Sequence, residues 1–148
     1  MQGHLIVAAF IDGSRKKGQS LDVDPKRPTC HLKTETGGTV EVALKDVKAL
    51  FFVRQLEGDA GRVDARGFLS GPEEHPRGRK IAVLFRDGEL VCGYSLGYSP
   101  QRDAFFLFPA DAQSNNQRVF VVVDGTTEVR QGTAAETMVQ KRLESEAA

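Results

Sequence analysis

A stretch near the N-terminus recurs 75 residues later in the chain. Phe10, Asp12, Gly13, Gly18, Ser20, Leu21, Pro25, Arg27 and Leu32 become Phe85, Asp87, Gly88, Gly93, Ser95, Leu96, Pro100, Arg102 and Leu107. Ile6 with Ile81 and His31 with Phe106 extend the match. Beyond it the offset is read as 78, which pairs Asp46 with Asp124 and Phe51 with Val129. The second copy then carries a loop three residues longer, around Ala112 to Gln117. A repeat of this size restricts the fold to one small unit used twice. A unit of roughly 60 residues buries little surface alone, so the two copies are expected to support each other.

Each copy reads as strands. Leu5 to Ile11 and Lys80 to Arg86 are apolar runs that end in Asp-Gly, a hairpin signal, and the expected turn is type I′. Asp12, Gly13, Asp87 and Gly88 are therefore read as turn-formers. Gly18 and Gly93 fall inside the second strands, where glycine marks a bend or a close backbone approach. Third strands are expected at Thr29 to Thr34 and Ala104 to Pro109, and fourth strands at Thr39 to Leu44 and Arg118 to Val123. Fifth strands follow near Ala49 to Arg54 and at Thr126 to Gln131. No helical period is long enough for a crossover, which argues against a parallel sheet. The expected fold is all-β: two tandem SH3-like or Sm-like five-stranded barrels packed together, with a short C-terminal helix.

The boundaries follow from composition. Residues 4–54 form the first barrel and residues 80–131 the second. Residues 55–79 form a linker rich in Gly, Asp, Glu, Arg and Pro, pinned by Phe68 and Leu69. Residues 132–148 hold the helix and tail, with Thr133 and Glu136 placed for a capping box and Met138, Val139 and Leu143 as an apolar stripe.

Three segments break the alternation of a one-sided sheet: Leu50 to Val53, Phe105 to Phe108 and Val119 to Val123. They are apolar on both faces, and something must cover the outer one. Face-to-face packing of the two barrels would do so. The rival is a partner protein or a second subunit anchored on Phe52, Phe106, Phe108 and Phe120.

Residues 49–54 (Ala-Leu-Phe-Phe-Val-Arg), followed by Glu57-Gly58-Asp59, resemble an uncharacterised bacterial family. So do Phe85-Arg86-Asp87-Gly88-Glu89 and Phe105-Phe106-Leu107-Phe108-Pro109-Ala110-Asp111 with Asn115-Asn116-Gln117-Arg118. The resemblance covers about Leu5 to Arg130. It is to small domains of unknown function associated with PilZ and response-regulator proteins. It implies signalling, motility or polarity regulation, and it supplies no catalytic residues. Each half is also similar to Sm-like proteins, but the loops Asp24-Pro25-Lys26-Arg27 and Ser99-Pro100-Gln101-Arg102 lack their RNA-site pattern.

Catalytic and metal-binding chemistry is weakly represented. His4, His31 and His75 are far apart, and Cys30 and Cys92 are isolated, so no metal or cofactor is expected. Arg62 and Arg66 have the spacing of a cyclic-di-nucleotide signature whose second half is missing. Arg27 and Arg102 recur close to proline and are read as braces on backbone carbonyls, with a shared recognition point as the alternative. Twenty basic residues balance twenty acidic ones, which makes nucleic acid a weak candidate partner. No run spans a bilayer and no secretion signal opens the chain, so the expected location is the cytoplasm, without membrane insertion. The expectation is a non-catalytic protein-interaction or adaptor module whose partner is another protein or a second copy. Sm-like binding of single-stranded nucleic acid is the alternative, and a cyclic-di-nucleotide receptor the third.

Overall fold

The computed structural model describes residues 3–58, 67–68 and 77–147. The first copy contains β1 (His4–Phe10), β2 (Arg15–Ser20), β3 (Thr29–Thr34), β4 (Thr39–Ala43) and β5 (Val47–Val53). The second contains β6 (Arg79–Phe85), β7 (Leu90–Ser95), β8 (Ala104–Pro109), β9 (Asn116–Val122) and β10 (Thr126–Gln131), and α1 (Thr133–Ala147) follows. A 3-10 turn precedes each fifth strand, at Leu44–Asp46 and at Val123–Gly125. These turns match Leu44 with Val123 and Val47 with Thr126, an offset of 79 rather than 78. Cross-strand pairs agree: Leu32 faces Val40 as Leu107 faces Val119. The loop of the second copy is thus four residues longer, not three. Identity there is low, so only geometry settles the alignment.

All strands lie in one antiparallel sheet, ordered β10-β6-β7-β8-β9-β5-β1-β2-β3-β4. Each copy has the same internal order: fifth, first, second, third, fourth. They join edge to edge where β5 pairs with β9, Leu50 opposite Phe120 and Phe51 opposite Val119. The sheet is open, with β4 and β10 at its ends. The strands do not close into two separate barrels, and the copies meet through a shared sheet rather than face to face.

The hairpins are local products of Asp-Gly. The Gly13 amide donates to Phe10 O and the Phe10 amide to Ser14 O, as Gly88 does to Phe85 O and Phe85 to Glu89 O. Gly13 and Gly88 share φ of 92°, and no non-glycine residue among those described has positive φ. A type I′ turn needs positive φ at both central residues, so that expectation is corrected: each is a three-residue loop, a type I turn closed by a glycine bulge. Asp12 and Asp87 hold it by accepting the amides of Ser14 and Glu89. Gly18 and Gly93 lie at a close approach, where a Cβ would strike the carbonyl oxygens of Lys33 and Phe108.

The two-faced strands are explained by two cores on opposite sides of the central strands. One holds Ile6, Cys30, Leu32, Val42, Leu50 and Phe52, lined from behind by Phe120 and Val122 of the second copy. The other holds Ile81, Val83, Phe85, Phe105 and Leu107, lined by Val7, Ala9, Ala49 and Phe51 of the first copy. Alternation sends Leu50 and Phe52 into one core and Ala49, Phe51 and Val53 into the other. Each copy therefore covers the other's outer face. At the junction Lys48, buried among apolar neighbours, reaches Asp87 at 2.6 Å and Glu89 at 2.7 Å, with its ammonium 4.8 Å from the centre of the Phe85 ring.

Helix α1 lies on the outer face of the second copy, burying Ala135 and Val139 against Ala82. Glu136 pairs with Lys80 of β6 instead of closing a capping box with Thr133. Phe68 packs edge-on against Tyr94, while Leu69 is outside the described residues. Among the described residues, no helix is long and apolar enough to cross a membrane.

Candidate functional site

On the first-copy side of the central strands, a row of rings runs from the core to the surface. Phe52 lies opposite Arg118, and Phe106 lies opposite Phe120. Residues 118, 120 and 122 of β9 share a face, as do 104, 106 and 108 of β8. Phe120 and Phe106 meet edge-on at 5.0 Å, Phe106 and Phe52 at 5.7 Å, and the His4 ring lies 5.5 Å from Phe52. Such pairs add to the stability that area burial already provides. The Arg118 guanidinium lies over this floor, 4.3 Å from the Phe52 ring centre and 4.8 Å from that of Phe106. Burial alone lowers the Arg118 pKa, and the residue stays half-buried.

The four phenylalanines expected as anchors separate. Phe120 and Phe52 are 0% and 3% exposed, so they are core and offer a partner nothing. Phe106 and Phe108 are half-buried, with Arg77 stacked 4.6 Å from the centre of the Phe108 ring. The exposed end of the row is thus Phe106 with Arg118, and Phe108 follows along β8 under Arg77. Arg118 was missed by sequence reasoning. The available signal was a cation heading the alternating apolar face of Phe120 and Val122.

The turn positions do structural work, as described above. Arg27 and Arg102 donate their amides to Asp24 O and Ser99 O inside equivalent turns, and among the described residues their exposed guanidiniums bond no carbonyl. Arg62, Arg66 and His75 lie outside the described residues.

A second concavity of about 660 Å³ opens where β2 and β3 pair only at Gly18–Thr34 and Gln19–Lys33. There Asp22 accepts hydrogen bonds from the His31 amide at 2.8 Å and the Ser20 hydroxyl at 2.9 Å, and its other oxygen lies 2.7 Å from His31 Nδ1. Burial raises the Asp22 carboxyl, but these bonds outweigh it and bring it down to about 2. The same bond to Asp22 raises the His31 pKa. Serine, histidine and aspartate meet here, yet the hydroxyl faces the carboxylate rather than the imidazole, so no base activates a nucleophile. Burial pushes the Cys30 and Cys92 thiols up to about 11, away from the reactive thiolate. Among the described residues no group of His, Cys, Asp or Glu side chains is placed to hold a metal. Residues 2–131 match the model of a family of unknown function, and no curated protein and no solved structure matches the chain.

Proposed function

The chain belongs to DUF6982, a family of unknown function, and from that premise we propose that it is a non-catalytic protein-interaction or adaptor module of bacterial signalling, motility or polarity regulation, acting in the cytoplasm. The observation that carries this reading is the half-exposed end of the aromatic row, Phe106 beside Arg118, with half-buried Phe108 further along the same strand, at the mouth of a core. Aromatic and arginine side chains set in a rigid sheet make effective anchors, because little entropy is lost when they are covered. The shared strand order of the two copies supports viewing each as a curled SH3-like or Sm-like unit. The overall neutral charge favours a protein over a phosphate backbone as partner. The test is affinity capture from the native host with wild type and Phe108→Ser. Phe108 belongs to neither main core, so the variant should unfold as cooperatively as wild type. Selective loss of a captured protein is the expected result. An unchanged set of captured proteins overturns the reading.

A further inference from the structure

The cations around the central strands are nearly all satisfied within the chain. Lys48 has Asp87 and Glu89, and Arg54 donates to the carbonyls of Ser114 and Ala112. Away from the centre, Arg130 on the edge strand β10 pairs with Glu128, and Arg142 of α1 donates to Gly88 O. Arg118 differs. Its contacts among the described residues are the two phenylalanine rings, and no carboxylate or carbonyl of the described residues meets its N–H groups. A guanidinium carries five donors in one plane, and rings against it leave the plane's edge for acceptors. Half-burial has already removed part of its water. The repeat does not demand arginine here, since the corresponding first-copy position is Thr39, at the free edge of the sheet.

We propose that Arg118 is the anchor for a carboxylate carried by an apolar-acidic segment of a partner protein, the carboxylate bonding the guanidinium while a neighbouring apolar side chain covers Phe106 and Phe108. This rests on the interaction-module reading and names the chemistry of the partner. A carboxylate fits the fork of a guanidinium through two parallel N–H···O bonds. Of the other cations at the site, Arg54 is committed to carbonyls and Arg77 to the Phe108 ring and a further interaction, which leaves Arg118 for a ligand. That suits a single side-chain anion on an apolar segment better than a run of phosphates, which needs several cations along a track.

The test follows the Arg118 Nε–H signal and the Phe106 and Phe108 ring signals by NMR. The probes are acetyl-Leu-Glu-Phe-Glu-Leu-amide, its Gln-for-Glu version and inorganic phosphate. The Glu peptide should shift all three groups saturably and bind about tenfold more tightly than the Gln peptide, the worth of one charged hydrogen bond. Arg118→Gln should erase that difference, and Arg118→Lys should restore only part of it. Equal shifts of the rings by both peptides overturn the arginine assignment while leaving the interaction surface standing. No shift of rings or arginine overturns both. Saturation of Arg118 by phosphate at lower concentration than by the Glu peptide replaces the carboxylate with a phosphate ligand.

Discussion

The joined edges of the two copies and the free edges of the sheet are made of corresponding strands with opposite chemistry. Strand β5 ends the first copy as β10 ends the second, and β9 corresponds to β4. At the junction Ala49 and Phe51 of β5 lie on one face, and Phe120 and Val122 of β9 on the other, all buried. At the free edges the matching residues are Glu128 and Arg130 on β10, and Glu41 and Ala43 on β4. Backbone hydrogen bonding alone would let every fourth strand accept a fifth. Charge where a neighbour would need apolar surface disfavours the addition of a further strand at either end. The pairing that joins the halves is therefore selected by side chains, not by strand geometry.

Four experiments sharpen or break that comparison. The largest effect is expected from giving the junction the chemistry of a free edge. Phe120→Glu places an unpaired carboxylate in a filled core and should cost at least about 4 kcal/mol in urea unfolding, enough to abolish a cooperative transition. A loss under about 1 kcal/mol would show that the junction does not hold the halves together.

The reverse exchange, Glu41→Phe with Glu128→Ala and Arg130→Phe, makes the free edges resemble the joined ones. Sedimentation velocity should then show head-to-tail species that grow with concentration. A monomer at every concentration would mean that the charges are not what limits the sheet.

A smaller effect concerns Lys48, which corresponds to Thr127 in the second copy. Neutralising its partners with Asp87→Asn and Glu89→Gln strands a buried ammonium. About 2 kcal/mol of stability should go, below the ~3–5 expected for a fully buried pair, because both carboxylates are partly in water. Asp87 is held below its usual pKa, chiefly by its bond to Lys48. Its contribution is thus present above the unfolded carboxylate pKa and lost as pH falls through the lower folded value. Wild type should lose more stability on acidification than the double variant; equal losses would leave Lys48 without a role at the junction.

The smallest effect is confined to the first copy, since His31 and Asp22 correspond to Phe106 and Gly97 in the second. The raised His31 contributes stability that is full below the unfolded histidine pKa and fades as pH rises through the folded one. The depressed Asp22 contributes above its unfolded pKa and is lost as pH falls toward about 2. The tie is strongest between the two unfolded values, 3.8 and 6.5. Proton NMR should place the His31 midpoint above 6.5, and Asp22→Asn should lower it. An unmoved midpoint would show that the pair does not form in solution.

Local signals were the most legible part of the fold. β3, β8 and β10 begin and end where the repeat and its turn residues place them. The hairpins were legible in Asp-Gly, but their type was not, because a two-residue and a three-residue loop share that dipeptide and differ in the residues that close it. The offset in the back half was misread by one because few identities remain there, and a slip of one residue sends a side chain to the other face. Of the site, Phe106 and Phe108 were visible as a two-faced apolar run. Arg118 and Lys48 were not, because Phe52, Asp87 and Glu89 are distant from them in sequence, and His31 with Asp22 was not, because the loop between β2 and β3 carries no pattern that brings the two together.

The sequence by itself determined that one five-stranded unit is used twice, with the places of its hairpins and the antiparallel sense of its strands, since these depend on neighbours in the chain. It also required that something cover the second face of Leu50 to Val53, Phe105 to Phe108 and Val119 to Val123. Tertiary structure decided what covers them. Pairing β5 with β9 turns the outer face of each copy into a wall of the other's core, and it leaves Arg118 at the rim of one core without a counterion among the described residues. The reason is physical: alternation states how many faces are apolar, while the choice of neighbour depends on side chains that meet only after both copies have formed.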